Sequence, residues 1–251
     1  MLTPSPSTPR STLPGAAARS GRQVVDAPIR MFHWLFALSF LGAYLSADGE
    51  RWRMLHVALG YNMAGLLMFR VLYGLWGPRQ AGLGLMRRKL ETAPNWFRSV
   101  WQGRFVAGVN WNQGANVGMA LTVVSMLLLV LPLTLSGYGT FNDWGDVLGG
   151  DWVEEIHEFF GVAMLWMVVL HLALLGALSL WRRKNTAMPM LTGKIDGPGP
   201  DLVKSNRAWL AIVLLLCVVA FMAWEWHTAP KGLVPAQGWS RSAHDRHDHD
   251  D

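Results

Sequence analysis

The sequence predicts an all-α integral membrane protein built around transmembrane helices. The 251 residues are 51% hydrophobic, include fourteen Trp and are only 16% charged, which is too apolar for an ordinary soluble domain of this length. Five windows, 29–47, 54–77, 115–135, 153–181 and 208–227, approach the ~20 apolar residues that span a bilayer. The excess of basic residues falls in alternate connections, as the positive-inside rule requires of a chain that crosses repeatedly.

Residues 1–26 come first. They are rich in Pro, Ser, Thr and Arg and have no apolar centre, so they read as a disordered, weakly basic cytoplasmic tail and not as a secretory signal peptide. Arg10, Arg19, Arg22 and Arg30 precede or open the first span. The short connection after it balances Arg51 and Arg53 against Asp48 and Glu50. The next connection carries Arg79, Arg87, Arg88, Lys89, Arg98 and Arg104, and within it Pro94 starts a stripe of Trp96, Phe97, Val100, Trp101 and Phe105 at helical spacing. That stripe reads as an interfacial helix on the inner leaflet, or as a wall of a quinone pocket. Residues 136–155 hold no base but five acids: Asp143, Asp146, Asp151, Glu154 and Glu155. The fourth span reads as a long helix from Trp152 to Arg182. A cytoplasmic linker at 184–207 with Lys184, Lys194, Lys204 and Arg207 leads to a fifth helix at 208–228. The N-terminus is thus expected in the cytoplasm, with residues 48–53, 136–155 and the C-terminus outside. The +5 net charge is a topology signal and gives no reason to infer nucleic-acid binding.

Of eight histidines, His227, His244, His247 and His249 lie at or beyond the end of the fifth span, and the other four are His33, His56, His157 and His171. These four fall within spans, where ionisable groups are costly and usually functional. By span direction, His33 and His171 lie toward the cytoplasm and His56 and His157 toward the outside. His157 and His171 are fourteen residues apart, roughly 21 Å along a helix with a net rotation of only about −40°, so they share a face. The fourth span offers one imidazole to each level, and the first and second complete two pairs, His33 with His171 and His56 with His157. A pair of imidazoles from different helices suits the two axial positions of a haem iron.

"HVALG" at 56–60 and "HEFFG" at 157–161 place Gly60 and Gly161 one turn after the outer histidines. A missing side chain there serves either close approach of a porphyrin or close helix–helix contact. Arg70, at the depth of His171, either holds a propionate of the inner haem or snorkels to the headgroups, and Arg30 has the same two readings. Cys217, the only cysteine, reads as a small core side chain and excludes a disulfide or a thiolate metal cluster. A zinc site wants three or four ligands at one level, and each level offers two. The tail at 229–251, ending "HDRHDHDD", reads as soluble and disordered, with weak divalent-metal binding as the other possibility.

"APIRMFHW" at 27–34, "LHVALGY" through "FR" at 55–70, "IHEFFG" through "LH" at 156–171 and "MPMLTGK" at 188–194 resemble the bacterial cytochrome b561 and Ni/Fe-hydrogenase b-type cytochrome superfamily. The resemblance covers roughly residues 27–195. It implies a four-helix transmembrane bundle over 27–183 holding two haem b groups, with His33, His56, His157 and His171 as axial ligands and the fifth helix as an addition. It implies residence in the bacterial inner membrane and electron exchange between quinone or quinol and a redox partner such as a hydrogenase, a periplasmic cytochrome c or a dehydrogenase. Two other functions compete: a direct quinone reductase fed by a small reductant such as superoxide, and a haem-free metal-ion transport or sensing protein.

Overall fold

The structure is a computed structural model that describes residues 21–78, 82–102, 111–197 and 199–229. The expected tails at 1–20 and 230–251, with His244, His247 and His249, lie outside the described residues, as do Arg79, Arg104 and Phe105.

Asp26 starts α1 (Ala27–Leu45): its carboxylate accepts from the Ile29 amide at 3.3 Å, and Pro28 sits in the first turn, where no amide need be donated. Ser46 closes the other end, its amide and hydroxyl returning to the Gly42 and Ala43 carbonyls. A 3₁₀ turn at Glu50–Trp52 leads into α2 (Arg53–Trp76). Two short amphipathic helices follow, α3 (Leu83–Glu91) and α4 (Ala93–Trp101), the second with Pro94 in its first turn as the sequence predicts. Then come α5 (Trp111–Phe141), the short α6 (Trp144–Leu148), α7 (Trp152–Arg182), the short α8 (Met188–Thr192) and α9 (Ala208–Thr228). At 31 residues each, α5 and α7 run about 46 Å, so both outreach a hydrocarbon core of about 30 Å.

α1 packs on α2, α5 packs on α7, and α2 against α5 joins the two pairs, while α9 lies on α1 and α2. Their common core sits at mid-height, where Phe40, Met63, Val130, Leu133 and Met164 are buried against one another. Between α1 and α2, Asn62 donates to Ser39 at 2.9 Å, which satisfies two buried polar side chains at once.

Among the described residues, four stretches are long and apolar enough to cross a membrane: Glu50–Trp76, Trp111–Phe141, Trp152–Arg182 and Ala208–Thr228. The protein is therefore a multi-pass membrane protein. α1 falls outside that set, because Pro28, Arg30 and His33 dilute its 19 residues. Its Leu38, Leu41 and Leu45 are nonetheless exposed along one side.

Two boundaries differ from expectation. Residues 136–141, assigned to an outer loop, continue α5. The hydroxyls of Thr134, Ser136 and Thr140 bond back to carbonyls one turn earlier, so the helix outlasts its apolar run. Residues 21–26 and 188–206 are not a free tail end and an extended linker but fold together. β1 (Arg22–Gln23) pairs antiparallel with β2 (Lys194–Ile195), and the Val24 and Val25 amides donate to the Gly193 carbonyl. Asn206 Oδ1 accepts from the Ala27 amide at 2.9 Å and from Gln23 Nε2 at 2.7 Å. Gly193, at φ +80°, could not be replaced cheaply: a Cβ there would lie 2.8 Å from the Val25 carbonyl oxygen.

Candidate functional site

The sequence expects the four span histidines in two pairs, and the structure brings the rings of one pair, His56 and His157, together. His56, at the start of α2, and His157, at the start of α7, have ring centroids 5.9 Å apart with planes at 86°. His56 Nδ1 lies 2.8 Å from the Ala43 carbonyl oxygen, and His157 Nδ1 lies 3.0 Å from that of Leu133. A carbonyl oxygen has no proton to give, so both Nδ1 atoms carry the hydrogen and donate it. Each Nε2 is then left with a free lone pair. Ala43 stands in the last turn of α1, and its carbonyl, which also accepts from the Ser46 amide and hydroxyl, takes the His56 hydrogen as well. Both imidazoles are thus held in the tautomer and orientation of a metal-binding histidine backed by a carbonyl.

His33 stands on α1 and His171 on α7. Their Nδ1 atoms are buried and have no hydrogen-bond partner among the described residues. Between the pairs lies the mid-height core. Phe40, Met63 and Met164 each stand seven residues after a histidine, His33, His56 and His157 respectively. Two turns of helix carry each of them about 10 Å from its histidine.

The outer pair passes a test of fit for haem. Two metal–nitrogen bonds of about 2 Å each, plus a ring radius at either end, put imidazole centroids about 6 Å apart across one metal, and the observed separation is 5.9 Å. Space is available too. A Cβ on Gly60 would meet nothing within 4 Å, and one on Gly161 would meet only Leu133 Cδ1 at 4.0 Å. Of the two roles expected for these glycines, close helix–helix contact is not the one seen. Among the described residues no group of three or more His, Cys, Asp or Glu converges on one point, as a zinc site of the usual kind would need.

The arginines have partners that the sequence reading did not name. Arg70 is buried at 7% exposure, not extended to the headgroups, and Asp26 and Tyr73 act on it electrostatically. Tyr73 donates its hydroxyl to Asp26 at 2.6 Å, and Asp26 is itself only 3% exposed. Arg30 donates from Nη1 to the Leu191 carbonyl at 3.0 Å while its Nε is buried with no partner among the described residues, so its guanidinium is turned toward α8.

Sequence reasoning also missed Gly137. A Cβ there would lie 2.8 Å from His157 Cε1 and 3.1 Å from its Nδ1, so only glycine lets this ring rest on α5. Ser136 beside it approaches the same Nδ1 at 3.4 Å. The small pair "SG" at 136–137 was the available signal, but nothing in the sequence says which helix faces His157. α4 lines a cavity. The space is about 660 Å³ and almost wholly apolar, with Trp96, Phe97, Trp111, Leu121, Leu174 and Trp181 among its lining. Trp96 Nε1 is buried without a partner among the described residues, and Gly114 must be glycine to admit the indole, since a Cβ would lie 2.5 Å from it.

A helical membrane bundle that brings two imidazoles from different helices to the spacing of a metal between two rings fits the class of membrane haem cytochromes. A family model described as prokaryotic cytochrome b561 matches residues 24–193, more than half of the chain, and the chain belongs to that family. No curated protein and no solved structure matches it. The family is one of b-type haem and transmembrane electron transfer, and its span contains all four paired histidines.

Proposed function

We propose that the protein carries electrons across the bacterial inner membrane through two b haems, exchanging them between the quinone pool and a partner redox protein. His56 with His157 would hold the outer haem, and His33 with His171 the inner one. The observation that carries this reading is the outer pair: two rings 5.9 Å apart, each with Nδ1–H donated to a backbone carbonyl and Nε2 left free to bind metal. When bound, the haem supplies one-electron redox chemistry, and the chain sets its potential through ligands, burial and hydrogen bonds. Gly60 and Gly161 leave room beside the outer pair. Arg70 and Arg30 place positive charge at the inner level, where propionates would need it, with Asp26 offsetting part of that of Arg70.

Quinone or quinol fits the cavity beside α4. Its volume lies in the usual range for small-ligand sites, and Trp96, Phe97, Trp111 and Trp181 give it aromatic walls. The bundle is read as α1, α2, α5 and α7, with α9 as a fifth span, the N-terminus in the cytoplasm and the C-terminus in the periplasm. A hydrogenase, a cytochrome c or a dehydrogenase would be the partner.

Haem content decides the reading. The purified protein should contain two low-spin b haems per chain by pyridine haemochrome assay and electron paramagnetic resonance. His56→Ala with His157→Ala should leave one. Two low-spin haems remaining in that double variant would refute the ligand assignment.

A further inference from the structure

The two imidazole pairs differ in what stands behind them. In the outer pair both Nδ1–H groups are donated to backbone carbonyls, at 2.8 Å for His56 and 3.0 Å for His157. In the inner pair both Nδ1 atoms are buried and have no hydrogen-bond partner among the described residues. An imidazole that donates its second N–H to an acceptor gains electron density at the nitrogen that binds metal. A stronger donor stabilises the ferric state and lowers the potential of the iron.

From this difference we infer that the outer haem is the lower-potential centre of the two, and that Gly137 is the positioning residue that keeps it so. The inference rests on the proposed haem ligation by these four histidines. Three further features act in the same direction. Ala43 lies in the last turn of α1, so its carbonyl carries the negative end of the helix dipole toward His56. Glu154, in the first turn of α7, acts electrostatically on His157 and adds negative charge at the outer level. At the inner level the positive Arg70 is buried near the negative Asp26, so the field there does not favour ferric iron in the same way. In the singly reduced protein the electron therefore rests at the inner centre.

Gly137 makes the difference testable without touching a ligand. A Cβ at this position would lie 2.8 Å from His157 Cε1 and 3.1 Å from Nδ1, so it must push the ring off α5 and away from the Leu133 carbonyl. Ser46 offers a second handle of opposite sign. Its hydroxyl shares the Ala43 carbonyl at 3.1 Å, and removing it leaves that oxygen more fully to His56.

The experiment is potentiometry of the full-length, haem-loaded protein, with the two waves followed by their low-spin resonance signals. Gly137→Ala should raise the lower wave, or abolish it, and leave the higher wave in place. Ser46→Ala should move the lower wave further down. Movement of the higher wave in either variant, or of neither wave in both, overturns the inference. Haem content is measured on the same samples. Fewer than two haems per wild-type chain would sink the ligation reading itself, whereas two haems with the opposite response would sink only the ordering.

Discussion

Tyr73→Phe removes one oxygen atom and should unfasten one end of the bundle. The Tyr73 hydroxyl donates to Asp26 Oδ2 at 2.6 Å. Asp26 caps α1 and Tyr73 lies near the end of α2, so one phenol ties two helices together. Asp26 is 3% exposed, and water cannot easily replace the lost donor. A hydrogen bond to a charged group contributes about 1.5–3 kcal/mol, and more if its loss leaves a buried partner unsatisfied. For a chain of this size each kcal/mol moves the unfolding midpoint by about 2–4 °C, which gives a fall of roughly 3–12 °C. Thermal unfolding in detergent, followed by loss of helical circular dichroism, measures it. Tyr44→Phe is the control: Tyr44 is 47% exposed on α1, and surface changes of this kind stay within about 0.5 kcal/mol. If Tyr73→Phe shifts the midpoint no further than Tyr44→Phe, the phenol is not the fastening inferred from its geometry.

Met164→Ala should cost about 2 kcal/mol, the low end for a buried methionine because lipid supplies little hydrophobic drive between helices, and thermal unfolding should show it. Arg70→Leu should lower the inner haem's potential and Asp26→Asn should raise it. A unit charge about 10 Å away at an effective dielectric near 20 is worth roughly 1–2 kcal/mol, and redox potentiometry reads either sign directly. Gly60→Leu should reduce outer haem occupancy by filling space where a Cβ now meets nothing, while spectroscopy should show the inner haem retained. His33→Ala and His171→Ala should remove the same low-spin signal. Loss of two different signals would break the pairing.

The long elements were legible because hydropathy and period are local properties. The run from Trp152 to Arg182 forms one helix with those ends, and the paired depths of the histidines follow from counting residues along spans of alternating direction. What stayed hidden depends on contacts between segments far apart in the chain. The carbonyls behind His56 and His157 are backbone groups of Ala43 and Leu133, and every residue has such a group, so no residue type marks them. Asp26 looked like the end of a polar tail. Its role as helix cap and as partner of Tyr73 needs α1 and α2 to lie side by side. Two-residue strands such as β1 and β2 show no periodicity at all. The extent of α5 was misjudged for another reason: hydropathy marks where lipid ends, and a helix can continue past that point on its own hydrogen bonds.

The mid-height core explains why the two histidine pairs can behave as separate sites on one set of helices. Phe40, Met63 and Met164 come from α1, α2 and α7, the three helices that also supply the histidines, and each stands two turns beyond one of them. Met164 is fully buried and divides the fourteen-residue interval of α7 into equal halves, with His157 on one side and His171 on the other. A seven-residue step keeps a helix face nearly constant, so whatever face turns a histidine inward also turns the core residue inward. The same spacing that aligns His157 with His171 therefore places a packed apolar layer between them. Damage to one pair has to pass through that layer to reach the other. Loss of a ligand at one level should leave the opposite haem's spectrum intact, whereas opening the layer at Met164 should loosen both levels together.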